Sequence, residues 1–208
     1  MEEKTPSKKY KKITQTLNFI ARKQEGCKID KLKAIKLVWV ADRYHIRKYG
    51  RPLSWDTYEA MKLGPVGSNT KDIADGCSTF LGKSEREYSE QYVKAVYKNF
   101  IKSVQEPDYS YFSESDIEAL NFALKEFNSM GAIELAKLSH EYPEWKKHEN
   151  TLQNLSERKV RMDYLDFFEN PKGIEDRFKV DKNLLEESKQ QYIESQQLKE
   201  ILVAVSTS

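Results

Sequence analysis

Apolar side chains along this chain recur mostly at three- and four-residue intervals. Tyr10, Ile13, Leu17 and Ile20 keep that spacing, which stacks them on one face of a helix. Glu25-Gly26 supplies its stop. The first nine residues, MEEKTPSKK, lack the pattern and read as a flexible basic arm. A second helix is predicted from Asp30, a good N-cap, to Tyr49, with Gly50 at its C-terminal end. Its centre, Leu37-Val38-Trp39-Val40-Ala41, is apolar all round, the mark of a helix buried centrally. Two rows run through it: Leu32, Ile35, Trp39, Asp42 and Ile46, and Ala34, Val38, Ala41 and His45. Asp42 and His45 therefore stand where a core face puts apolar groups, and their i,i+3 spacing puts them within reach of each other.

Arg51-Pro52 breaks that helix. Trp55 to Leu63 predicts a strand, Gly64-Pro65-Val66-Gly67 a turn, and Ser68 the cap of a short helix reaching about Phe80. Residues 92–104 are ambiguous. Val93, Val96, Tyr97, Phe100, Ile101 and Val104 fit a helical period, yet they are β-branched or aromatic, and Lys98-Asn99 suits a hairpin turn. Ser113-Glu114-Ser115-Asp116 is a helix start of the capping-box kind, followed by Ile117, Leu120, Leu124 and Phe127. A shorter helix is predicted over Ala132–Ser139. Another begins near Lys159, carries Met162, Leu165 and Phe168, and stops at Pro171. From Asp181 to Val205, Leu184, Leu185, Tyr192, Leu198 and Leu202 form only a sparse stripe, so the segment reads as a polar helix or a tail ordered by a partner.

Composition narrows the function. With 208 residues, 38% of them hydrophobic, the chain can bury a core. No apolar run approaches the roughly 18 residues of a membrane span, and no secretory leader is visible, so a cytoplasmic protein is expected. Cys27 and Cys77 are too few and too far apart for a disulfide framework or a zinc site. The net charge of +2 hides an asymmetry: residues 1–50 carry 14 Lys/Arg against 5 Asp/Glu, and residues 51–208 carry 21 against 28. A basic first quarter either meets an acidic partner or pairs with the rest of its own chain.

The inventory for catalysis is thin. There are three histidines, His45, His140 and His148, and no metalloprotease, phosphate-loop, dinucleotide or zinc-ligand motif. Neither catalytic residues, metal nor cofactor is expected. The sharpest catalytic grouping, Asp42 with His45 and His140 near Ser139 or Glu141, is outweighed by a buried hydrogen-bonded cluster that fixes packing. Nucleic acid is disfavoured too, because Lys8, Lys9, Lys11 and Lys12 precede any recognition helix, and the helix after Ser68 carries Asp72 and Asp75. A protein-binding module remains, with Tyr49, Arg51, Trp55, Tyr58, Met61 and Val66 as candidate surface anchors.

Several separated motifs share a resemblance. They are Ala41-Asp42-Arg43-Tyr44-His45 running to Tyr49-Gly50-Arg51-Pro52-Leu53, Asp56 to Ser68 with Gly64-Pro65-Val66, Glu106-Pro107-Asp108, Ser113 to Asp116, and Leu138-Ser139-His140-Glu141 before Trp145. In this order, over about residues 13–170, they resemble the Panacea domain, or SocA-like antitoxin family. Ser54-Trp55 stands where the family often has Thr-Gly or Ser-Gly, and Gly67 where it often has Pro. The resemblance implies a mainly α fold (α+β), a multi-helix domain with a small antiparallel β element, and so a hairpin at 92–104. It implies a domain over 10–170 and a C-terminal extension over 171–208. Asp42, Arg43, His45, Gly50, Pro52, Gly64, Pro65, Ser113, Asp116, His140 and Trp145 fall in its motifs and are expected to hold the scaffold. The implied function is an antitoxin that binds a cognate toxin protein. Alternatives are an adaptor that delivers a toxin to a protease, with a protease or chaperone as further partner, and a prophage-encoded regulator that binds DNA.

Overall fold

A computed structural model describes residues 6–76, 81–97, 99–154 and 157–206. Along the chain run α1 (Lys8–Arg22), β1 (Lys28–Asp30), α2 (Lys31–Tyr49), β2 (Tyr58–Met61), β3 (Gly64–Gly67) and α3 (Ser68–Asp75). Then come α4 (Lys83–Tyr92), β4 (Val93–Val96), β5 (Phe100–Ser103), α5 (Glu114–Phe127) and α6 (Ala132–Ser139). The last are α7 (Pro143–Lys146), α8 (Glu149–Gln153), β6 (Lys159–Arg161), a 3-10 turn at Tyr164–Phe168, and α9 (Lys182–Ser206). The fold is mainly α with two small antiparallel sheets, ordered β1-β5-β4 and β3-β2-β6.

Helix α2 is the axis. Asp30 starts it by accepting the Lys33 N–H at 3.0 Å, and Gly50 ends it in the left-handed conformation at φ 62°. Every residue from Ala34 to Arg43 is buried, so neighbours must cover it on all sides. Helices α1, α3, α5, α6 and α9 do so. Ser113 and Asp116 close a reciprocal capping box on α5, with Ser113 N–H donating to Asp116 at 2.8 Å.

The structure departs from the sequence pattern in five places. Residues 92–104 form the hairpin that the resemblance implies and not the helix of their period: Val93 pairs with Ser103 and Val96 with Phe100. Val93 and Ile101 point inward while Phe100 and Val104 lie outside, so the apparent helical period mixes two faces of a sheet. Lys98, half of the predicted turn, lies outside the described residues. The strand from Trp55 shortens to β2, and Gly64–Gly67 is a strand rather than a turn. The reversal falls on Lys62-Leu63, and Pro65 is tolerated because β3 is an edge strand, where its missing N–H breaks no ladder.

Helix α3 stops at Gly76 (φ 62°), and the predicted extension to Phe80 falls largely outside the described residues, as does Cys77. Its cap is not Ser68 but Asp56, whose carboxylate accepts the Asn69 N–H at 3.1 Å and the Thr70 N–H at 2.8 Å. The helix predicted at Lys159 is strand β6 plus the 3-10 turn. Backbone pairing of Val160 with Ala60 holds the strand. Finally, the chain beyond Pro171, with its sparse apolar stripe, still sends side chains into the core. Phe178 is buried between Trp39, Phe127 and Tyr142, with ring centroids 5.7, 5.2 and 5.1 Å away, and Tyr192 of α9 is buried as well. Among the described residues no helix is long and apolar enough to cross a membrane.

Candidate partner-binding site

The polar groups of α2 are satisfied one at a time by different elements. Asp42 accepts from Ser54 N–H at 2.7 Å, from the Ser54 hydroxyl, and from the Tyr58 hydroxyl at 2.7 Å. Burial pushes its carboxyl up to about 6, against the pull of those Ser54 and Tyr58 hydrogen bonds. His45 Nδ1 lies 2.6 Å from the Arg51 carbonyl, which can only accept, so Nδ1 carries the proton. Its Nε2 faces Ser115 Oγ at 3.0 Å. Burial drives the imidazole down to about 4 and keeps it neutral. Asp116 is buried too, but Lys12, the Ser113 N–H and Arg51 outweigh that burial and hold it below the usual carboxylate range.

His140 is elsewhere. Its ring stacks on Trp145 at 3.8 Å, and burial lowers its pKa. Among the described residues, Asp42, His45 and His140 share no hydrogen-bond partner.

Arg43 was expected to hold the scaffold, but sequence reasoning missed its partner Glu144 and the buried charges of Arg47 and Lys36. Arg43 pairs with Glu144, both fully buried, while Trp39 Nε1 donates to the same carboxylate at 3.0 Å. Arg47 donates to the carbonyls of Phe167, Phe168, Glu169 and Phe178 and to Asn170 and Asp176, at 2.7–3.2 Å. Lys36 donates to the Pro65 carbonyl at 2.6 Å, and burial pushes its pKa down to about 7. This contact explains the Gly64-Pro65 motif. Gly64 sits at φ 95°, and a Cβ there would lie 2.2 Å from Ser139 Oγ and 3.0 Å from Lys36 Nζ. The available signal was a run of basic side chains, Lys36, Arg43 and Arg47, inside a helix apolar on every side.

The surface anchors divide. Tyr58 and Val66 are in the core, at 2% and 6% exposure, because β2 turns Tyr58 and Ala60 inward. Tyr49 donates to Glu118, Arg51 is held by Ser113, Ser115 and Asp116, and Pro52 is buried. Trp55 is half-buried under Lys199 of α9, whose ammonium lies 3.5 Å from the ring centroid.

Met61 opens onto a groove of about 640 Å³ between the start of α2, the β2–β3 hairpin and α6. Leu32, Ile35, Met61, Leu63, Val66 and Ile133 make it largely apolar, and Leu63 and Ile133 are 48% and 56% exposed. On its rim Asp75 is taken by Lys31 and Lys71, and Asp30 by the α2 cap. Lys62 and Arg158 have no carboxylate partner among the described residues.

The chain is thus a helical scaffold tied by the buried Arg43–Glu144 pair, with an open apolar groove beside it. The family model for the SocA-like antitoxin, Panacea domain, matches residues 35–146, more than half of the chain, and the chain belongs to that family. The matched stretch runs from the start of the buried part of α2 through Glu144 and Trp145. No curated protein and no solved structure matches.

Proposed function

We propose that this chain neutralises a toxin by binding it directly in the cytoplasm, as a binding module and not as an enzyme. Membership of an antitoxin family supports the role. The observation that carries the mode of action is the apolar groove with Lys62 and Arg158 on its rim, neither with a carboxylate partner among the described residues. Such a surface fits an amphipathic segment of the toxin with apolar side chains flanked by carboxylates.

Coexpression with the product of the adjacent open reading frame tests this. Growth should recover, and the two proteins should copurify. Ile133→Asp or Leu63→Asp should weaken the complex at least tenfold at unchanged Tm, since both side chains are exposed. A neighbour that is not toxic, or rescue without a complex, overturns the reading. Toxin that disappears in a protease-dependent way would replace masking by the adaptor mechanism.

A further inference from the structure

The sheet β1-β5-β4 turns Ile29, Ile101 and Val93 into the core. Its other face is exposed and basic. The register sets Lys28 opposite Lys102, and Lys102 opposite Lys94. Three exposed ammonium groups therefore stand in one row, on strands about 4.8 Å apart. Like charges directly opposite destabilise a sheet, and neither Lys94 nor Lys102 has a carboxylate partner among the described residues. Lysine on an edge strand often guards against aggregation, but Lys102 is on the central strand.

The neighbouring row adds aromatics. Phe100 lies opposite Asp30, which is occupied with capping α2, and the Lys28 ammonium lies 4.6 Å from the Phe100 ring centroid and 5.7 Å from that of Tyr97. Tyr97 is 86% exposed at the hairpin tip and sits at φ 54°, a region uncommon for a residue other than glycine.

We propose that this face binds single-stranded nucleic acid, with Lys28, Lys102 and Lys94 on phosphates and Tyr97 and Phe100 stacked on bases. An acidic protein would use the lysines but would give the two rings no planar partner. Bases do, whatever their sequence. None of these five residues lines the toxin groove, so the proposal stands apart from that function. The basic arm and α3, which counted against nucleic acid in the sequence, are other elements, and the lysine row exists only once strand register is known.

Fluorescence anisotropy with fluorescein-labelled 12-nucleotide oligo(U) and oligo(dT) tests it on the full chain. Three phosphate contacts predict a slope of about −2 for log K against log salt. Lys94→Glu with Lys102→Glu should cost at least tenfold in affinity and flatten the slope, and Tyr97→Ala should cost about tenfold and leave the slope alone. Tighter binding of oligo(U) assigns RNA, and tighter binding of oligo(dT) assigns DNA. Thermal melts that match the parent show that the exposed variants remain folded. The proposal is overturned if neither oligonucleotide binds at 50 mM salt, or if the double lysine variant binds unchanged. It also falls if a labelled oligoglutamate peptide binds as tightly and Tyr97→Ala is silent, an outcome that assigns the face to an acidic protein.

Discussion

Each buried charge on α2 is matched to a specific partner, and the cost of losing that partner sets the residue-scale expectations. Glu144→Ala leaves the Arg43 guanidinium buried without its counter-ion and should cost about 3–5 kcal/mol in urea unfolding. Asp42→Ala strands the Tyr58 hydroxyl and the Ser54 N–H, a loss of about 1–3 kcal/mol. Asp42 and His45 also bend the pH dependence in opposite directions. His45 titrates near 4 when folded, against about 6.5 unfolded, so the unfolded chain binds more protons between those values and stability falls as pH falls. Asp42 titrates near 6 when folded, against 3.8 unfolded, so the folded chain binds more protons and stability rises as pH falls. In Asp42→Asn the second effect is gone. Unfolding free energies at pH 6.5, 5.5 and 4.5 should then drop more steeply than in the parent. Asp42 and His45 were visible in the sequence as polar breaks in apolar rows. Arg43 was visible as part of a motif, and Arg47 and Lys36 only as basic residues in an apolar helix; their partners were not legible, because long basic side chains on a helix ordinarily reach water and nothing local shows that Glu144 or the Pro65 carbonyl waits inside.

Elements whose ends carry their own caps were legible. Asp30 and Gly50 bound α2, and Ser113 with Asp116 starts α5, because those signals lie within four residues of the helix they define. Elements fixed by distant partners were not. The β4–β5 hairpin has apolar residues on both faces, strand β6 is held by β2 a hundred residues away, and α3 is capped by Asp56 across a hairpin. Gly50 links the legible to the illegible. A Cβ there would lie 2.6 Å from the Ser188 carbonyl of α9, at a φ of 62°. Gly50→Ala should cost at least roughly 1–2 kcal/mol from backbone strain alone, and amide hydrogen exchange should accelerate over residues 185–199.

At the scale of the molecule, six of the fourteen basic side chains of the first quarter pair with carboxylates from the rest of the chain. Lys12, Arg22, Lys31, Arg43, Arg47 and Lys48 pair with Asp116, Glu106, Asp75, Glu144, Asp176 and Glu118. The charge asymmetry therefore describes how the two parts of the sequence close on each other. The unit that folds is also longer than the stretch that the family model matches. A chain cut after Pro171 loses Phe178, Tyr192 and the Asp176 carboxylate on Arg47. It should show no cooperative thermal transition and no sharp near-ultraviolet dichroism.

That dependence on Phe178 has a temporal side. The elements that cover α2, apart from α1, are synthesised after it, and the cover of its apolar centre is incomplete until the ribosome has passed Phe178. At 5–20 residues per second the interval is on the order of 10 s. For that time the nascent chain presents Leu37–Ala41 to whatever binds apolar peptide.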